Sequence, residues 1–207
     1  MIEEKKWKRD EMAMLDQVLG YLPERHTKHN TAITQWVRED YLTGETKASL
    51  SAGGLYRVTN GSAYLYNPAV GGNFELGNLE IPRFDFTVVT LIGFSLFLHP
   101  YGKKLSAAYL YPKFDKGQGT SPKLKILDTE LILRQLDYRS GNLYLDEKLV
   151  SLDQAFALCY TSYLVAPEYL LKSFPDVYQE LKTTIFDGRE YRKKGSYPGG
   201  GIHVLRV

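Results

Sequence analysis

Trp7, Met14, Leu15, Val18, Leu19 and Leu22 recur at helical spacing with charges between them. The pattern predicts an amphipathic helix over residues 3–20 that ends at Gly20 or before Pro23. Residues 23–31 are polar and aperiodic, and read as a solvated loop completing an N-terminal unit over 1–31. From Ala32 onward the vocabulary becomes that of strands: Ile33, Trp36 and Val37, then Leu55 to Val58, Ala63 to Tyr66, Phe84 to Leu91 and Leu105 to Tyr111, punctuated by Gly, Asn and Pro. Asn60-Gly61 between two aromatic-rich runs predicts a hairpin over 55–66 with a type I′ turn, because both central residues of that turn need positive φ. A second hairpin is expected over 131–150 around Ser140-Gly141-Asn142, although Leu131 to Leu136 also suits a helix.

The helical period returns at Ser151-Leu152-Asp153-Gln154, a capping box in which the Ser hydroxyl and Gln side chain satisfy free amides reciprocally. Phe156, Cys159, Tyr160, Tyr163 and Leu164 then share a face until Pro167. A second helix is expected from about Ser173, with Pro175 in its first turn and Val177, Tyr178, Leu181 and Ile185 inward. It should end at Asp187-Gly188, with Gly188 as the C-terminal capping glycine. No repeat and no long linker divides the chain, so one α+β domain is expected. It comprises an N-terminal helix, a central antiparallel sheet or sandwich over 32–150, a helical pair over 151–188 and an extended arm over 189–207.

Composition narrows the setting. A chain of 207 residues can bury a core without staples, and its single Cys159 forms no intrachain disulfide, which favours a reducing compartment such as the cytoplasm, or a virion assembled there. The charged N-terminus has no secretory h-region, and the apolar run Phe86 to Leu98 is too short to span a bilayer. The net charge of +2 argues against globally electrostatic nucleic-acid binding, yet Lys103, Lys104, Lys113, Lys116, Lys123 and Lys125 face only Asp115 within their segment. With Tyr109 and Tyr111 interleaved, residues 101–125 fit a module in which cations track phosphates and rings stack bases. Steep salt dependence would mark that alternative.

No catalytic, metal or cofactor set can be named from the sequence. His26 and His29 lie three residues apart, a spacing that can clip a metal, but no further ligand follows and Arg25 and Lys28 oppose a cation. Cys159 could act with His99 or His203 only if folding joined them, and its place on an apolar helix face reads as structural. Asp85, Asp128, Glu130, Asp137 and Asp146 cannot be paired by spacing, so a small hydrolase or transferase stays open. The glycines lack the strand-to-helix context of a phosphate cradle.

Gly53 to Asn60, followed by Tyr64-Leu65-Tyr66, resembles the opening of the GIY-YIG nucleases, in which tyrosines on two strands surround a metal-bound phosphodiester. The likeness covers about a dozen residues, lacks the second glycine, and is followed by no matching arginine and glutamate. A hairpin with aromatic cross-strand pairs accounts for the same residues. The rhythm of Glu75 to Pro82 is similar to a cupin-like jelly roll, without that family's histidines.

The C-terminal arm carries the most specific expectation. Arg189, Tyr191, Arg192, Lys193, Lys194 and Tyr197 precede Gly199-Gly200-Gly201, which breaks any helix, and Ile202 to Val207 has the β-branched content of a strand added to a neighbour's sheet, with return to its own sheet or disorder as the alternatives. The contact set is these residues with Ile202, Val204 and Val207. The expected function is a non-enzymatic interaction or assembly subunit, of the sort viruses and phages build with, forming a homo-oligomer or larger assembly. The sixteen tyrosines supply contact area at low entropic cost.

Overall fold

A computed structural model describes residues 6–40, 53–76, 79–98, 152–173 and 175–191. The class is α+β: an N-terminal helix, a small mixed sheet and C-terminal helices share one hydrophobic core.

Helix α1 (Arg9–Tyr21) starts later than its apolar period suggested, because Glu11 reaches back to accept a 3.1 Å bond from the Lys8 backbone N–H and closes the first turn there. It stops before Pro23, with Leu22 already extended as a residue preceding proline must be. Leu15 and Val18 face the core. Glu11 shares that inner face, and its carboxylate (1% exposed) meets the Arg38 guanidinium (2% exposed) at 3.2 and 3.3 Å. Arg38 also donates to the Leu65 carbonyl and to Asn67 Oδ1, so one buried ion pair ties α1 to the top of the sheet.

The sheet contains β1 (Gln35–Arg38), β2 (Gly54–Arg57) and β3 (Ser62–Leu65) in the order β1-β3-β2. The expected hairpin is present, with Tyr56 opposite Ala63 and Arg57 opposite Ser62. Its turn is not type I′: four residues connect the strands, and of Asn60 and Gly61 only the glycine has positive φ, +65°. Asn60 instead accepts the Ser62 N–H through its side chain, and a Cβ on Gly61 would sit 2.6 Å from the Ala32 carbonyl oxygen. β1 joins β3 in parallel, Trp36 opposite Ala63, which makes the sheet mixed where an antiparallel one was expected. Ala63 and Leu65 point into the main core, while Val37, Tyr64 and Tyr66 form a second cluster on the opposite face. A separate antiparallel pair, β4 (Asn73–Leu76) and β5 (Leu79–Pro82), leads into the next helix.

The expected strand Phe84 to Leu91 is instead the first half of α2 (Arg83–Leu98). Its aromatic and β-branched content misleads because the helix is enclosed all round, which erases the amphipathic period. Phe84, Val88, Val89, Leu91, Ile92 and Leu96 are all buried. α3 (Leu152–Val165), buried from Phe156 to Val165, runs antiparallel to it, with Phe97 beside Phe156, Gly93 against Ala157 and the Thr90 and Thr161 hydroxyls 2.9 Å apart. A third helix that the sequence did not suggest, α4 (Pro167–Ser173), begins on Pro167 itself, since proline suits a first helical position as well as it ends a preceding one. α5 (Pro175–Glu180) then continues into a π-helical turn, Leu181–Ile185, burying Val177, Tyr178, Leu181 and Ile185 as expected. Asp187 and Gly188 both adopt positive φ, and Gly188 N–H returns to the Lys182 carbonyl to close the end. Among the described residues no helix is long and apolar enough to cross a membrane. The second hairpin expected over 131–150 lies outside them.

Gly20 and Gly93, the two helical glycines among the described residues, separate packing from propensity. Around Gly20 a Cβ meets nothing within 4 Å, so Gly20→Ala should raise stability by about 0.5–1 kcal/mol. On Gly93 the same atom falls 2.9 Å from the Ala157 Cα, so Gly93→Ala should instead cost about 1–3 kcal/mol by parting the helices. Urea midpoints of the two variants check this, and a Gly93→Ala protein as stable as the parent would mean that the crossing is slack.

Candidate functional site

Among the described residues, polar and aromatic groups meet where the segment after α1 touches α3 and the C-terminal turn. Pro23 opens a 3₁₀ turn, Glu24–His26, which sends neighbouring side chains in opposite directions. The polar stretch read as a solvated loop therefore turns much of its polarity inward. His26 is fully buried, and Asn30 donates to Ser95 Oγ on α2 and to the His26 carbonyl while accepting the Ala32 N–H. A short polar run carries no period to reveal this.

The His26 ring stands edge-on to Phe186 at 5.3 Å, and its Nδ1 lies 3.1 Å from the Tyr160 hydroxyl. Its Nε2 lies 3.3 Å from Arg25 Nε. The Arg25 guanidinium also donates to the Thr184 and Ile185 carbonyls and pairs with Asp187 at 3.1 Å, placing a cation on the carbonyl end of the π turn. Burial first, then the Arg25 charge, pushes the His26 imidazole down to about 3, so the ring is neutral at physiological pH. Beyond it rings continue in contact: Phe156 with Tyr160, Tyr160 stacked on Phe186, Phe186 stacked on Tyr163 at 4.4 Å, and Tyr163 against Tyr178.

The start of the expected arm belongs to this cluster. Tyr191 is fully buried, edge-on to both Tyr163 and Phe186, and burial raises its phenol to about 12 against the opposing charge of Arg189. Tyr163 donates to the Arg189 carbonyl, and Lys182 pairs with Glu190. Tyr191, expected at a partner contact, is thus core, because it completes a set of rings that would otherwise end open. Among the described tyrosines Tyr56, Tyr64, Tyr66, Tyr160, Tyr163 and Tyr178 are also buried, so these rings build an aromatic interior instead of a contact surface. Arg192, Lys193, Lys194, Tyr197, Ile202, Val204 and Val207 lie outside the described residues, as do Lys103, Lys104, Tyr109, Tyr111, Lys113, Lys123 and Lys125.

The remaining candidates are dispersed. His29 is exposed and sits 3.8 Å from Glu24, on the other side of the turn from His26, so the two imidazoles do not converge. Cys159 is buried in α3, and burial drives its thiol far above the ordinary range, which makes it inert. His99, His203, Asp128, Glu130, Asp137 and Asp146 lie outside the described residues, and among those described no cluster of three metal-ligating side chains forms. The glycines that resemble the nuclease opening are packing elements: Gly53 and Gly54 lie against Thr87, and Tyr56 donates to the Ala32 carbonyl. No protein-family model, curated protein or solved structure matches the chain.

Asp85, in the first turn of α2, is buried, and desolvation lifts its carboxyl from 3.8 to about 6. Between those values the folded state holds a proton that the unfolded chain releases, so this residue lowers stability as pH rises from 4 to 6. Asp85→Asn should remove that loss, gaining about 1–3 kcal/mol more over the parent at pH 7 than at pH 4. Urea unfolding of both proteins at the two pH values measures it. Equal gains at both would show that the carboxylate is solvated.

Proposed function

We propose that the protein is a non-enzymatic interaction or assembly subunit whose C-terminal segment engages a neighbouring subunit. The observation that supports this most directly is the fixed root of that segment. Arg189 to Tyr191 are anchored by the Tyr191 ring, the Tyr163 hydroxyl and the Lys182–Glu190 pair, so the chain up to Tyr191 is held at a defined point on the core. An arm needs such a root, because ordering only its far end would leave the entropy of the near end opposing the contact.

Reach favours a neighbour. Residues 192–207 can span roughly 50 Å when extended, against a radius of gyration of about 17 Å for a domain of this length. The glycines at 199–201 disconnect Ile202 to Val207 from the root, leaving a hexapeptide suited to strand addition, while Arg192, Lys193 and Lys194 suit an acidic rim. The reactive groups near the root support the same reading: Cys159 and His26 are both used for packing. A cytoplasmic or virion setting goes with it.

Light scattering of the full chain and of a chain ending at Tyr191 tests the proposal. The shortened protein should keep its melting temperature and fall to the monomer mass. Equal monomeric masses would remove self-assembly, whereas equal oligomeric masses would place the contact elsewhere. A chain ending at Gly188 is the wrong comparison, because it strips the Tyr191 ring from the core and should cost about 3–5 kcal/mol in stability.

A further inference from the structure

We propose that Arg25 and His26 form an acid-released latch that docks the C-terminal turn and the root of the tail onto α3. A guanidinium can only donate, so the Nε2 facing Arg25 Nε is the bare nitrogen of the ring, and Nδ1 carries the proton toward the Tyr160 hydroxyl. The latch geometry is therefore available only to the neutral imidazole. A second proton would set two N–H groups face to face and place a charge on a fully buried ring beside the Arg25 guanidinium, which is itself only partly exposed. Arg25 cannot relieve this by losing its own proton, so relief comes by separation.

Every group around the ring bears on the balance. Arg25 and Arg189 oppose a charged ring, the Ile185 carbonyl favours it, and Asp187, on the solvent side, offsets part of the Arg25 charge. The Tyr160 and Tyr191 phenols, both raised by burial, stay neutral throughout and contribute no charge. What the latch holds is itself a constrained conformation: a π-helical turn closed by Asp187 at φ +53°, a backbone that persists only where its surroundings impose it. Arg25 touches that turn at Thr184, Ile185 and Asp187, so opening the latch removes the cation from its carbonyl end. An undocked ring titrates near 6.5 and the docked ring near 3, so docking weakens as pH falls through that window, by up to about tenfold per pH unit. The latch stands whether or not the tail binds a neighbour.

Hydrogen exchange on the full chain between pH 7 and 4, corrected for intrinsic rates, reads the latch directly. Amides of residues 177–188 should lose protection relative to those of 86–96, by about tenfold per pH unit below pH 6. His26→Gln, whose amide can accept from Arg25 without titrating, should flatten that dependence. Loss of protection in parallel across both segments, or an unchanged slope in His26→Gln, overturns the proposal. If the variant does not fold, imidazole NMR of the parent decides: His26 should stay neutral to below pH 4.5, and protonation near 6.5 in the folded protein would end the idea.

Discussion

The contact between α2 and α3 is the constraint on which the other elements depend. Most described side chains of both helices are buried, and the two approach so closely at Gly93 and Ala157 that no extra carbon fits. Dispersion between surfaces this near is steep with distance, so the pair defines a rigid axis. α1 and strands β2, β3 and β5 lie against α2, while the C-terminal helices follow from α3. The Thr90–Thr161 bond crosses the same interface, and it fixes the rotation of one helix relative to the other in a way that apolar packing alone would leave freer.

Around this axis the protein buries polar groups in pairs. Glu11 with Arg38, Asn30 with Ser95 and His26 with Tyr160 each join elements distant in sequence. Such pairs add little net stability, since desolvation offsets most of the attraction, but a wrong arrangement would leave one partner buried alone at several kcal/mol. Their effect is to select one docking of α1, one path for the 3₁₀ turn and one seat for the C-terminal turn. The aromatic rings fill the space between those fixed points.

Legibility in the sequence followed the exposure of each element. α1 and the turn ending at Gly188 have one wet face, so their periods survive and their apolar positions could be read. The hairpin over 55–66 was legible because Asn60-Gly61 is a local signal, although its turn type was not, since Asn60 uses its side chain where a type I′ turn uses backbone. α2 was misread because full burial removes periodicity, and β-branched residues are as welcome in an enclosed helix as in a strand. His26 could not be found at all: its role depends on Tyr160 and Phe186, more than 130 residues away, and nothing near it marks the inward side of the turn. The same long-range packing turned Tyr191 from an expected contact residue into an interior one.

Antiparallel pairing of α2 and α3 also places the exit of one helix beside the entrance of the other, since Phe97 touches Phe156. Leu98 and Leu152, the described residues on either side of 99–151, therefore lie at the same end of the helix pair. Neighbouring ends are a lenient constraint on whatever chain joins them, since doubling the length of a connection adds only about 0.6 kcal/mol of closure entropy. The seating of α2 on α3 is thus set by contacts between the helices themselves, at Gly93, Ala157, Thr90 and Thr161.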